Sequence, residues 1–339
     1  MCIRDRCAAP CEAACRRGAL DQPVAIRALK RFVTERFGVE AMVDLDVLRE
    51  VYGHRELKYP RDPVAVIGAG PAGLAAAHDL ALLGYPVTVF EAQPVAGGML
   101  RLGIPEYRLP RELIKLEVNA ILSLGVELRV NQRLGRDFSL QSLREQGFKA
   151  VFIAIGAHKG RDVGVPGADL DGVLKGVDFL LNFNMGYRLD LGKRVVVIGG
   201  GNVALDVART ALRSGVPEEL ADRQLNIVTA LDVARSAIRF GAKELHVVSL
   251  ESLEEMPADP EEIAEARREG IAFHPRRGLK AILGQAGRVT GIETVECTSV
   301  FDAAGRFDPR LAEGTESAMA ADSVILAVGQ ESDLSGLAP

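Results

Sequence analysis

No apolar run in this 339-residue sequence is long enough to cross a bilayer; the longest, such as "AVFIAIGA" at 150–157, fall far short of the roughly 18 residues a span needs. Positive charge is not in excess. Lys and Arg number 41 against 46 Asp and Glu, a net charge of −5, so no broad basic face invites nucleic acid or anionic lipid. No hydrophobic leader follows the start, and a cytoplasmic setting is the expectation. Cysteine is scarce and unevenly placed: of five, four fall within the first fifteen residues. In a cytosolic chain such a cluster reads as metal or redox chemistry before a disulfide framework. What is plentiful is glycine, 35 residues, many beside apolar runs as nucleotide-binding loops require. A composition 48% hydrophobic and 26% charged is that of an ordinary globular protein with room for about two domains.

The first 60 residues read as helical. Asp21 and Pro23 suit a helix start, and Ile26, Leu29, Val33 and Phe37 then recur at helical spacing. A second short helix is expected over 44–52. The proline-flanked link "KYPRDPVAVIGAG" leads into a buried strand. Strands are expected at 63–68, 86–91, 126–130 and 150–155, and in a second series at 194–199, 244–250, 271–274, 289–298 and 323–328. Helical segments separate most of them, and such alternation with glycine at the strand ends implies doubly wound parallel sheets. "GQAGR" and "DAAGR" read as hairpin turns, so an antiparallel excursion over 276–308 is expected to interrupt the second series. One repeat stands out. "ALDVARTALRSG" (204–215) recurs as "ALDVARSAIRFG" (230–241), identical at 9 of 12 positions and offset by 26 residues. This is one duplicated helix, not a solenoid, which needs about three or more units. A real insertion and an artefact of sequence assembly both remain open.

"VAVIGAGPAGLAAAHDLALLGYPVTVFEA" (64–92) carries Gly68, Gly70 and Gly73 in the G-x-G-x-x-G pattern, with Ala69, Pro71 and Ala72 between them. The first glycine permits the tight turn, the second lets backbone approach a pyrophosphate, and the third lets helix and strand pack closely. The helix N-terminus then offers free N–H groups and the positive end of its dipole to phosphates. Glu91 ends the next strand, 23 residues after Gly68, where a carboxylate can bind ribose hydroxyls. "RVVVIGGGNVALDVARTALRSG" (194–215) is a second such unit, with Gly199, Gly201 and Ala204. Two dinucleotide folds in one chain suggest two dinucleotides, a flavin and a nicotinamide. Glu251 is the candidate acid of the second unit. It lies 52 residues from Gly199, a separation that becomes 26 once the repeat offset is subtracted. A solvated turn acid is the alternative for Glu251.

Cys7, Cys11 and Cys15 are four residues apart. On a helix they would share a face, although Pro10 argues against one continuous helix. Soft thiolates at short spacing suit an iron–sulfur cluster, with three buried thiols as the other reading. Cys297, alone in an expected strand, reads as core packing.

"CAAPCEAACRRG…PVAIRALKRF", "GAGPAGL", "AGGMLRLGIPEYRLPRE", "AIGAHKGRDVGVPG", "GGGNVALDVAR" and "VILAVGQ" occur in this order along essentially the whole chain. In these blocks the sequence resembles the small (beta) subunit of glutamate synthase and its relatives, among them the N-terminal half of dihydropyrimidine dehydrogenase. The resemblance implies an α/β fold with two Rossmann-like dinucleotide-binding domains after a small α-helical iron–sulfur domain. The FAD domain would be split and incomplete, with the NAD(P) domain inserted. The boundaries expected are 1–60 for the helical part, 61–157 for the first half of the FAD domain, 158–329 for the NAD(P) domain, and 330–339 for the start of the missing second half. NAD(P)H would pass hydride to FAD, and single electrons would leave through [4Fe–4S] clusters to a large subunit or another acceptor protein. Ala69, Gly70 and Glu91 would hold FAD, with Gly98, Leu100, Arg108 and Leu134 nearer the flavin or its ribityl chain. Gly200, Gly201, Asn202 and Val203 would take the nicotinamide pyrophosphate, and Ala327 and Gly329 would close over that cofactor. A surface ion pair is the alternative for Arg108.

The chain also departs from the family. NADPH-using relatives often carry an Arg pair where Leu250 and Glu251 stand, which favours NADH. Relatives continue past "AVGQ", so the chain is expected to be a fragment that binds FAD weakly or not at all in isolation. The opening "MCIRDR" does not fit the pattern, and Cys2 is left out of the ligand set. In relatives the cysteines of this block serve two clusters completed by an upstream group, and a Gln or Glu ligand from the following helix is replaced here by Lys30. No stable [4Fe–4S] cluster is therefore expected on this chain alone. A cluster-free flavoprotein reductase is a further reading, although no C-x-x-C or C-x₄-C pair lies between 74 and 160 to support its disulfide-reducing form. An inactive cofactor-binding scaffold is another.

Overall fold

The computed structural model describes residues 9–41, 61–187, 189–214 and 242–337. Cys7, the helix expected over 44–52 and the second repeat copy lie outside the described residues. The chain divides into two compact units, one of Met1–Ala157 with Ser332–Pro339 and one of His158–Glu331.

The first unit begins with a short helix α1 (Pro10–Ala13) and a longer one, α2 (Ile26–Phe37). The latter starts after Ala25, beyond the expected Asp21 and Pro23. Its apolar positions are exposed: Leu29, Phe32, Val33 and Phe37 all face solvent. A Rossmann-like unit follows: β1 (Val64–Ile67), α3 (Pro71–Leu82), β2 (Val87–Phe90), α4 (Met99–Leu102), α5 (Arg111–Leu122), β3 (Glu127–Arg129), α6 (Leu140–Glu145) and β4 (Ala150–Ile153). The strands pair in parallel in the order β3-β2-β1-β4, with Val64 opposite both Val87 and Ala150. Strand alternation sends Val66 and Val89 to one face, where Leu74 of α3 and Ile114 and Val118 of α5 cover them. Ala65, Ile67 and Phe90 go to the other, against Leu143 of α6 and the rings of Phe138 and Phe148. Each fully buried Val or Leu contributes about 1.5–3 kcal/mol. β4 is an edge strand, and its Phe152 and Ile153 are exposed.

The second unit runs β5 (Lys159–Gly160), β6 (Val173–Lys175), α7 (Gly176–Asn184), β7 (Arg194–Ile198), α8 (Asn202–Arg213), β8 (Glu244–Val248), α9 (Pro260–Arg268), β9 (Ala272–His274), β10 (Arg277–Gln285), β11 (Arg288–Phe301), β12 (Phe307–Ala320), β13 (Ser323–Leu326) and β14 (Gln330–Glu331). Its main sheet is parallel in the order β6-β13-β7-β8-β9. Val195 and Val197 bury against α7, α8 and α9, and Val196 and Ile198 against the antiparallel sheet β10-β11-β12. The turns expected at "GQAGR" and "DAAGR" join those three strands. The antiparallel part continues past residue 308, because β12 runs to Ala320. Cys297 is buried within β11, 1% exposed.

α8 is the first copy of the repeat, and it is buried along Ala204–Leu212. Its Arg209, 7% exposed, donates to Glu262 Oε2 at 2.6 Å and to Glu269 Oε1 at 2.8 Å, while Arg213 also holds Glu269 at 2.8 Å. This buried network ties α8 to α9 and to the turn after it. Burial by itself pushes the Glu269 carboxyl up; the hydrogen bonds from Arg213 and Arg209 outweigh it and hold the group below its ordinary range.

Candidate functional site

In the first unit β1 ends in a turn that only glycine can make. Gly68 has φ +106°, and a Cβ there would lie 2.3 Å from the Ala154 carbonyl oxygen. A Cβ on Gly73 would come within 1.9 Å of the Gly68 carbonyl oxygen, so α3 sits directly on the turn. Pro71 occupies the first helical position, where its missing N–H costs nothing, and Pro71 and Ala72 are both exposed. The first-turn N–H groups of α3 have no carbonyl within the helix and are left for a ligand.

Two further segments converge on this loop. Glu91, 7% exposed, accepts from Ala69 N through Oε2 and from Gln93 N through Oε1, both at 2.8 Å. The Gly97 N–H donates to the Ala69 carbonyl at 2.8 Å, and a Cβ on Gly98 (φ +53°) would fall 2.6 Å from the Gly70 Cα. Ala69, Gly70, Glu91 and Gly98 are thus brought together around a backbone-lined cleft without side chains at its narrowest point. Leu100 lies in α4, and its carbonyl accepts from Arg111 at 3.2 Å. Arg111 also donates to the Ile104 carbonyl at 2.8 Å, and burial, with Arg101 nearby and Glu106 opposing, pulls its guanidinium down to about 10. Arg111 pins the "GGMLRLGIPEYRLPRE" block to α5, a role the sequence reading did not single out; three neighbouring arginines in that block look alike until their burial is known. Arg108 is half-buried, and its N–H caps the turn at Pro105. Leu134 packs its side chain into the core with Ala65, Ile67, Phe90 and Leu143 on the opposite face from α3.

The second unit repeats the arrangement. Gly199 has φ +143°, and a Cβ there would meet the Ala327 carbonyl oxygen at 2.4 Å. A Cβ on Gly200 would lie 2.7 Å from Glu251 Oε2, so the acid at the end of β8 does reach the glycine loop. Gly201 is open to space and caps α8, the Asn202 side chain accepts from Asp259 N at 2.9 Å, and Val203 packs on the core. Ala204 in place of a third glycine is fully buried. Gly329 (φ +106°) stands near Arg161, whose N–H donates to its carbonyl at 3.1 Å. The segment after Glu251 folds back over the loop, with Ala258 N donating to the Gly200 carbonyl at 3.2 Å. Arg276 (φ +57°) donates its N–H to the Glu251 carbonyl at 3.0 Å and pairs with Glu255 at 2.8 Å. These contacts join residues far apart in sequence, and no motif in the sequence marked them.

Among the cysteines, Cys11 is exposed and Cys15 half-buried. Backbone N–H groups of Val24, then Arg17 and Gly18, hold the Cys15 thiol below its ordinary value. Such donors favour a thiolate, which fits a metal ligand. Among the described residues no group of three or more His, Cys, Asp or Glu is placed to hold a metal ion.

The family described as pyridine nucleotide-disulphide oxidoreductase matches residues 62–338. The NADP(+)-dependent formate dehydrogenase subunit beta of Moorella thermoacetica is 39% identical, over 98% of this chain and 45% of its own length. The glutamate synthase [NADPH] small chain of Halomonas elongata is 34% identical, over 78% of this chain and 53% of its own. The chain thus spans about half the length of these curated relatives. Among solved structures, Mycobacterium tuberculosis FprA in complex with NADPH superposes with a TM-score of 0.64 at 24% identity, covering 80% of this chain and 71% of that one, a likeness of fold.

Proposed function

The chain belongs to the pyridine nucleotide-disulphide oxidoreductase family, and within it we propose that it is the electron-input part of a flavin oxidoreductase subunit like the glutamate synthase small chain. FAD would occupy the cleft of Ala69, Gly70, Glu91 and Gly98, and NAD(P)H the second loop at Gly199–Val203 with Glu251. The observation that carries the reading is that each glycine loop has its acid folded onto it: Glu91 on the Ala69 N–H at 2.8 Å, and Glu251 Oε2 against Gly200.

A bound flavin accepts hydride from a nicotinamide and releases electrons singly, so the protein needs no side-chain acid or base for the transfer. The chain's own contribution is positional. Gly68, Gly73 and Gly199 hold the helix N-termini close to where phosphates would bind. Glu91 and Glu251 stand where ribose hydroxyls would be read. Backbone donors lower the Cys15 thiol, which would suit it, with Cys11 and Cys7, to hold part of a [4Fe–4S] cluster that would supply one-electron transfer to a partner protein.

The test is nucleotide binding by the full chain, followed with FAD fluorescence quenching and with calorimetric titration of ADP-ribose. Saturable ADP-ribose binding that is lost in Gly201→Val is the expected result, with FAD quenching weak in the wild-type chain and absent in Gly70→Val. Absence of ADP-ribose binding by the wild-type chain would overturn the assignment of the second loop. NADH and NADPH are compared in the same titration: Glu251 favours NADH, whereas the names of the relatives carry NADP(+) and NADPH.

A further inference from the structure

Within the second unit a cavity of about 350 Å³ opens between the β8–β9 edge of the parallel sheet and the antiparallel sheet. Val248 lies at its wall, with His274, Arg277, Thr294 and Ser317 supplying the polar lining. Arg277 is half-buried, and its hydrogen-bond partners are all neutral. Nε donates to Thr294 Oγ1 at 3.1 Å, and one terminal nitrogen donates to the carbonyls of Thr294 and Thr315, each at 3.2 Å. Glu296, opposite Arg277 on β11, is exposed and makes no ion pair with it, Glu255 pairs with Arg276 at 2.8 Å, and Glu293 and Glu316 pair with Lys280 at 3.3 and 3.0 Å. Among the described residues no ion pair neutralises Arg277. A guanidinium is always protonated, and a partly desolvated cation without a counter-charge is unfavourable. These three bonds leave the second terminal nitrogen, with its two N–H donors, for a ligand.

His246 and His274 extend the site. Their ring nitrogens Nδ1 and Nε2 are 2.9 Å apart across neighbouring strands. That separation would also suit two ligands of one metal ion, but the Arg277 charge repels a dication. Burial first, and then the charges of His246 and Arg277, keep His274 below its ordinary value, which favours a neutral ring; in the tautomer whose Nε2 accepts from His246 Nδ1, its Nδ1–H is the donor left for a ligand. The exposed Ser317 hydroxyl completes a donor-rich, acceptor-poor lining.

We infer that this cavity binds a small tetrahedral oxyanion, a phosphate or sulfate group, held by Arg277 with Ser317 and His274. The inference stands independently of the dinucleotide reading. Arg277 N donates to the Ser249 carbonyl at 2.8 Å, which places the cavity beside the end of β8 that also carries Glu251. The oxyanion could therefore be free, or be a phosphate group of a nucleotide bound at the second glycine loop.

The test is thermal unfolding of the full chain in sodium phosphate against sodium chloride at matched ionic strength. Phosphate at about ten times its Kd should raise the midpoint by about 3–5 °C in a saturable way. The rise should vanish in Arg277→Met and weaken about threefold in apparent affinity in Ser317→Ala, an exposed strand position whose substitution spares the fold. Addition of NADP⁺ and of NAD⁺ separates the sources. Competition of phosphate with NADP⁺ but not with NAD⁺ assigns the group to the nucleotide 2′-phosphate, and independent stabilisation assigns it to the free anion. Stabilisation by phosphate without any nucleotide binding supports the inference while removing the dinucleotide reading. A wild-type midpoint no higher in phosphate than in chloride, or an unaltered rise in both variants, overturns it.

Discussion

Replacing Arg209 by methionine removes the cation at the centre of the α8–α9 network. Arg209 and Glu262 are 7% and 9% exposed, so the substitution takes the cation away from a carboxylate in a water-poor site. Breaking a buried pair from one side costs about 3–5 kcal/mol. The lower end applies here, because Glu269 keeps Arg213 at 2.8 Å and Glu265 is half-exposed and recovers water. About 3 kcal/mol corresponds to a fall of about 6–12 °C in the unfolding midpoint of a domain this size. Calorimetry of the full chain is the suitable assay, because two compact units can unfold in separate transitions. Only the transition of the second unit should move. Glu262→Met alone should cost about 1–2 kcal/mol, since Arg209 retains Glu265 and Glu269. The double variant should then be less damaged than the sum of the singles by about 1–2 kcal/mol. Strict additivity, or a loss below about 1 kcal/mol for Arg209→Met, would show that the network is spectator chemistry and the reasoning wrong.

Asp322 accepts from Lys193 N, Arg194 N and the Arg194 guanidinium, the last of which, as the largest cause, lowers its carboxyl to about 2. A depressed carboxyl stabilises the fold above its unfolded value and loses that contribution as pH falls toward about 2. With partial solvent exposure discounted, Asp322→Asn should cost about 1 kcal/mol at pH 7 and nothing measurable near pH 2, as read by urea midpoints. Gly73→Ala drives a Cβ into the Gly68 carbonyl, which is backbone and cannot step aside; FAD binding should be lost, and wild-type quenching in this variant would contradict the packing. Deleting 216–241 leaves Ser214, Gly215, Ala242 and Lys243 between α8 and β8, a normal connection length. The shortened chain should unfold cooperatively and bind ADP-ribose as before; an insoluble product would argue that the duplicated segment supports the fold.

The buried strands were legible because residues such as Val64–Ile67 and Val324, Ile325 and Leu326 sit in the middle of parallel sheets and are apolar without interruption. Both hairpin turns were legible from their Gly-containing loops. β12 was not. Phe307–Ala320 carries Asp, Arg, two Glu and Gly, pairs among the described residues only with β11, and presents mostly solvent-facing positions, so no apolar period marks it. The glycines and both acids of the candidate site could be named from spacing, since their task is local backbone geometry. The couplings between them could not. Gly98 on Gly70, the Glu251 carboxylate on Gly200 and the Arg209 network depend on chain segments 28 to 60 residues apart that meet only after folding. Arg277 illustrates the same limit: beside Arg276 it looks identical in sequence, and only their surroundings make one a partner of Glu255 and leave the other, among the described residues, without an ion pair.

The exposed flank of β4 has a practical side. One edge of that strand pairs with β1, and among the described residues no strand hydrogen-bonds to the other. With Phe152 and Ile153 both more than 40% exposed, this edge combines open backbone donors and acceptors with greasy side chains. Such a surface templates strand addition from any chain that offers a matching segment, including another copy in a concentrated preparation. Phe152→Lys should therefore lower any concentration-dependent self-association of the purified protein, as read by light scattering.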